Sequence, residues 1–87
     1  MPDHNWTVNI AFTEDEDRTR ADAILQLASH KFHGFGQAKR APEDPNVPMV
    51  GQELAAARAL SDLSHQLLEA AVERIESYEG RSVDVHG

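Results

Sequence analysis

Residues 46–78, NVPMVGQELAAARALSDLSHQLLEAAVERIESY, decide the fold of this 87-residue chain. Val50, Leu54, Ala57, Leu60, Leu63, Leu67, Ala71, Ile75 and Tyr78 recur every three or four positions, so they fall in one stripe along a helix of period 3.6. Pro48 suits the first helical turn, where a missing N–H does no harm, with Asn46 or Val47 just outside it. Gly80 supplies a stop after Tyr78 and Glu79. One helix over about residues 49–79 is predicted, and a stripe of that length needs a sheet or a partner to cover it. A stripe of Leu and Ala is a core, not a reagent.

Working back from the helix, residues 41–48 hold Pro42, Pro45 and Pro48 and read as a connection, because proline suits neither a helix interior nor a central strand. Before it, Phe32, Gly34, Gly36 and Ala38 alternate with His33, Phe35, Gln37 and Lys39, which predicts a strand over about 32–40. The two glycines point to close approach of another element. Residues 19–28 admit two readings. As a helix, Ala21, Ile24, Leu25 and Ala28 share a face and Asp17 is the N-cap; as a strand, Ala21, Ala23, Leu25 and Leu27 face inward and Arg20, Asp22, Ile24 and Gln26 face away. A hairpin with the four-residue loop 28–31 sets Leu27 opposite Phe32, Leu25 opposite Gly34 and Ala23 opposite Gly36, large against small. On the other face it sets Ile24 opposite Phe35 and Asp22 opposite Gln37, with Lys39 on the diagonal. That consistency favours the strand.

At the start of the chain Trp6, Val8, Ile10 and Phe12 alternate along a first strand over about 5–13. Four adjacent acids, Glu14 to Asp17, then make an exposed turn and lack the spaced ligands and glycine of a calcium loop. Residues 81–87 read as a frayed tail or a short extra strand through Val83 and Val85. There are no internal repeats.

A single domain of this size buries only about 60% of its unfolded surface, so the core is small. No cysteine is present to supplement it with a disulfide or a thiolate metal site. The absence of cysteine, of any long apolar run and of a signal peptide in the polar MPDHN start suggests a cytoplasmic protein that does not enter membranes. The net charge of −7 is unevenly spread: residues 1–17 carry −5, residues 18–41 carry +4 and residues 42–87 carry −6. A basic middle lies between two acidic ends.

The search for chemistry yields no catalytic, cofactor or metal set. His4, His30, His33, His65 and His86 include no i, i+4 helical pair of the zinc-binding kind, and Ser61, Ser64 and His65 lack a convergent base and acid. Gly34-Phe35-Gly36 lacks the pattern of a phosphate loop. Arg58 and Asp62 lie one helical turn apart and suit an ion pair, although Arg58 can instead reach a strand carbonyl or a partner subunit. The expected protein is not an enzyme and takes no small-molecule substrate.

Several of these residues carry a resemblance. Trp6-Thr7-Val8, Thr19-Arg20-Ala21, the Gly34-x-Gly36-x-Ala38 strand, and Asn46-Val47-Pro48 followed by Val50-Gly51-x-Glu53-Leu54 through Leu63 resemble a small actinobacterial family of unknown function. That family has a double-stranded-RNA-binding-domain-like fold and includes mycobacterial dormancy-associated proteins. The resemblance implies an α+β, β-β-β-α domain, makes residues 19–28 a strand, and lays the helix over Trp6, Val8, Ile10, Leu25 and Leu27. It assigns a structural role to Gly34, Gly36, Asn46, Pro48, Gly51, Arg58 and Asp62. The fold is similar to that of ribosome hibernation-promoting factors, which implies a stress- or dormancy-associated translational regulator contacting ribosomal RNA.

The surface singled out for binding is the sheet's outer face, displaying Arg20, Ile24, Gln26, His33, Phe35, Gln37 and Lys39 beside Thr7, Asn9 and Ala11. It suits a dimer contact or an RNA platform in which Phe35 stacks a base and Arg20, Lys39 and Arg40 meet phosphates. Self-association is expected on a second ground: a helix of about 30 residues spans about 45 Å against about 27 Å for an eight-residue strand. Leu67, Leu68, Val72, Ile75 and Tyr78 would then lie partly uncovered, and a homodimer is the simplest cover.

Overall fold

The computed structural model describes residues 4–79. Three strands, β1 (Val8–Glu14), β2 (Arg18–Gln26) and β3 (Lys31–Lys39), form an antiparallel meander in the order β1-β2-β3. One helix, α1 (Pro48–Glu79), follows. Helix propensity in residues 19–28 is overridden because Thr19, Ala21, Ala23 and Leu25 alternate with outward residues and match the buried positions of β3. Pro48 is the first helical residue, and the Val47 carbonyl accepts the first bond, from Val50 N–H at 3.0 Å. The expected stop at Gly80 and the tail strand through Val83 and Val85 lie outside the described residues.

The strand pairing differs from the expected register by two residues. Leu25 stands opposite Phe32, Ala23 opposite Gly34, Ala21 opposite Gly36, and on the outer face Asp22 opposite Phe35 and Ile24 opposite His33. The loop is 27–30, closed by Leu27 N–H donating to the His30 carbonyl at 2.7 Å. A two-residue slip keeps every side chain on its face, so the hydrophobic pattern does not discriminate between the two registers. Turn geometry decides it.

The helix keeps Leu63 and Leu67 of the expected stripe against Leu25 of β2, but otherwise meets the sheet on a shifted face and covers β3 where β1 was expected. Its buried residues are Ala55, Ala59 and Leu63, with Leu67 and Ala70 packed beside them, whereas Val50, Leu54 and Leu60 of the predicted stripe are exposed. It lies over β3 and β2 and leaves β1 almost untouched. The cause is size. A Cβ at Gly34 would come within 2.5 Å of Ala59 O and Leu63 N, and one at Gly36 within 2.5 Å of Ala55 O and Ala59 N. Main chain therefore rests on main chain, and only alanines on the helix and Ala21 and Ala23 on β2 fit that approach. The larger Val8, Ile10 and Phe12 of β1 cannot be covered as closely; Ile10 reaches the core, but Val8 and Phe12 are exposed, as is Trp6 ahead of the strand. Phe32, Leu25 and Leu63 supply the largest buried side chains, each worth about 1.5–3 kcal/mol of transfer free energy.

Arg58 and Asp62 do not pair with one another as a surface ion pair; both serve β3. Arg58 Nη1 donates to the Gln37 carbonyl at 2.6 Å, Asp62 Oδ2 accepts from Phe35 N–H at 3.0 Å, and Gln66 Nε2 donates to the His33 carbonyl at 2.7 Å. Spaced four apart on the helix, these three side chains meet alternate residues of the strand and satisfy an edge that no fourth strand covers among the described residues.

Candidate binding face

The pleat gathers the outward residues of all three strands on the side away from α1. Asn9, Ala11 and Thr13 of β1 stand opposite Ile24, Asp22 and Arg20 of β2, which in turn stand opposite His33, Phe35 and Gln37 of β3. Arg18 and Lys39 face each other at one end and Gln26 and Lys31 at the other. Among the described residues, four cations, Arg18, Arg20, Lys31 and Lys39, thus share the strands' outer face with a single acid, Asp22. Thr7 lies just ahead of β1. In a chain of net charge −7 this face is a basic exception.

Its centre is a connected polar group. Arg20 donates to Asp22 from Nη2 at 3.0 Å and from Nε at 3.2 Å to both carboxylate oxygens, and the His33 Nε2 lies 2.6 Å from Asp22 Oδ1. The hydrogen bond from Arg20, followed by that from His33, lowers the Asp22 carboxyl below its ordinary range; the bond to Asp22 raises Arg20 in turn. The guanidinium carbon of Arg20 also sits 4.5 Å from the centroid of the Phe35 ring, a cation–π contact on a side chain that remains 48% exposed. Neither contact follows from the expected register, which puts Gln37 opposite Asp22 and Ile24 opposite Phe35; the true register makes His33 diagonal to Asp22 and Phe35 diagonal to Arg20.

Arg40 does not join this face. It is half-buried, its Nη1 donates to the Asp44 carbonyl at 3.0 Å, and its own N–H bonds the Asp17 carbonyl at 2.7 Å, so it ties the proline-rich connection to the β1–β2 turn. His30 stacks on Phe32 with ring centroids 5.9 Å apart. The His33–Asp22 pair lies on an open sheet surface, with no serine or threonine hydroxyl among its bonded partners. Among the described residues no three His, Asp or Glu side chains converge as a metal-binding group, and no helix is long and apolar enough to cross a membrane.

Fold and face define the class: an α+β domain of three antiparallel strands backed by one long helix, with a charged open face opposite it. The chain belongs to the Rv2632c-like family, whose sequence pattern matches residues 4–84. It is 44% identical over 73 residues to the uncharacterized protein Mb1767 of Mycobacterium bovis, covering 84% of this chain and 78% of that protein. It is 41% identical over 70 residues to the uncharacterized protein Rv2632c of Mycobacterium tuberculosis, covering 80% and 75%. The crystal structure of Rv2632c is similar over 90% of this chain and 93% of that one, with a TM-score of 0.83 and 37% identity.

Proposed function

We propose that this protein is a non-enzymatic binding protein whose outer sheet face takes an anionic partner, single-stranded segments of ribosomal RNA in a stress or dormancy response. The observation that carries this reading is the concentration of Arg18, Arg20, Lys31 and Lys39 around the half-exposed Phe35, on the one face of the sheet that the helix leaves open. Phosphates meet the cations, and a base stacks on Phe35 or on the guanidinium plane that Arg20 holds over it. Asp22 fixes Arg20 in that plane at the expense of part of its charge.

Co-sedimentation with ribosomal subunits tests it. Lys39→Glu and Arg20→Glu weaken the association, Phe35→Ala weakens it with the fold retained, and added salt weakens it because counterions released into a more concentrated solution gain less entropy. No association of the unaltered protein at low salt rejects RNA as the partner. A second reading, a homodimeric interaction module with no nucleic-acid binding, is favoured by the engagement of Arg20 with Asp22 and Phe35, which leaves fewer free cations than the sequence offers.

A further inference from the structure

The end of the domain where β1 turns into β2 and the proline-rich connection enters α1 holds a cavity of about 610 Å³. That volume falls within the range of small-molecule sites, about 300–1,000 Å³. Its walls are the acidic turn 14–17, the starts of β2 and α1, the end of β3 and the connection. The apolar lining includes Val47, Val50 and Leu54, each half-exposed. Val50 and Leu54 are side chains of the helical stripe that the core does not take.

The polar lining contains donors without acceptors. Val47, ahead of Pro48, carries no side-chain oxygen to cap α1, and the first turn holds no acid, so no side chain of that turn offsets its positive end. Thr19 is 9% exposed, and its hydroxyl, directed at Gly51 in that turn, makes no hydrogen bond to any described residue. The Nε of Arg40 is buried and also lacks a partner among the described residues, although Nη1 of the same guanidinium is bonded to the Asp44 carbonyl. Buried donors left unpaired are costly, and together these favour an acceptor placed among them. The acids of the lining, Glu14 to Asp17 and Asp44, are exposed, and Glu14 accepts from Gln52 Nε2 at 3.1 Å. They outnumber the bases Arg18, Lys39 and Arg40 by five to three, which disfavours a polyphosphate and leaves place for a single negative charge at the donors.

We propose that this cavity binds a small apolar monocarboxylic acid, with its carboxylate among Thr19, Arg40 and the first turn of α1 and its hydrocarbon against Val47, Val50 and Leu54. The carboxylate supplies two acceptor oxygens for the unpartnered donors, and the apolar wall takes a body that a bare anion lacks. Arg20 and Phe35, at the centre of the outer face, do not line the cavity, so its test is independent of RNA binding.

NMR titration of the full chain with octanoate tests the proposal, with 1-octanol and inorganic phosphate as comparisons. Octanoate is expected to give saturable shifts at Thr19, Arg40 Nε and the amides of residues 49–51. Octanol, lacking the charge, and phosphate, lacking the chain, are each expected to bind about tenfold more weakly or worse. Val50→Asp sets an acid in the first turn, where it favours the helix dipole, and is expected to raise the urea midpoint while weakening octanoate more than octanol. Thr19→Val keeps the shape of the side chain, removes the hydroxyl and is expected to weaken octanoate with octanol unchanged. Equal affinity for octanoate and octanol, phosphate binding as tightly as octanoate, or no saturable shift at the cavity below micelle formation overturns the proposal. So does a Val50→Asp variant that weakens octanoate and octanol alike.

Discussion

Asp22 is the residue on which the outer face turns. It holds Arg20 on one side and His33 on the other, and both bonds favour its ionised form. A carboxyl lowered in the folded state contributes stability that is present above its unfolded value and is lost as the pH falls through the folded one. For Asp22 that window lies below about 3.9, the value for a free aspartate. A carboxyl-detected NMR titration is expected to give Asp22 a midpoint below that of a free aspartate, and Arg20→Gln is expected to move it upward. A midpoint at or above the free value in the unaltered protein would contradict the bonded arrangement. Which residues face outward could be read from the sequence, since alternation survives any even slip of register; which of them touch could not, and the His33–Asp22 and Arg20–Phe35 contacts depend on a loop whose bounds the pattern does not fix.

At the level of elements, the alternating strands and the proline-led helix follow directly from hydrophobic period and turn chemistry. The helix's orientation does not. Summed over the stripe, large side chains such as Val50, Leu54 and Leu60 point to one face, but Gly34 and Gly36 demand a helix surface small enough for main chain to approach main chain, and Ala55 and Ala59 provide it. Close approach outweighs bulk. Gly36→Ala is accordingly expected to destabilise the protein by about 2–3 kcal/mol, because the new methyl meets Ala55 O and Ala59 N, which move only if the helix lifts. Gly51→Ala meets chiefly the Thr19 hydroxyl, at 2.8 Å, which can turn aside, and a helical alanine is favoured over glycine by about 1 kcal/mol, so its stability stays within about 1 kcal/mol of the unaltered protein. Urea midpoints compare the two. Equal stabilities would mean that the helix does not rest on the glycine strand.

The molecule as a whole separates its charge across the sheet. Glu53, Glu69, Glu73 and Glu76 stand on the helix, on one side, and the four cations of the strands stand on the other. This separation reconciles a net charge of −7 with an anionic partner, since the acidic side turns outward when the basic face docks. The same opposition was visible in the chain as a basic middle segment between acidic ends, and folding converts it from a sequence of blocks into two surfaces. NMR titration of the labelled protein with a short single-stranded RNA at low salt measures the use of that face most directly. Binding there predicts shifts concentrated at Arg18, Ile24, Phe35 and Lys39 that recede as salt is added, with the amides of residues 60–75 unchanged. Shifts confined to the helix, or none at any RNA concentration, would contradict it.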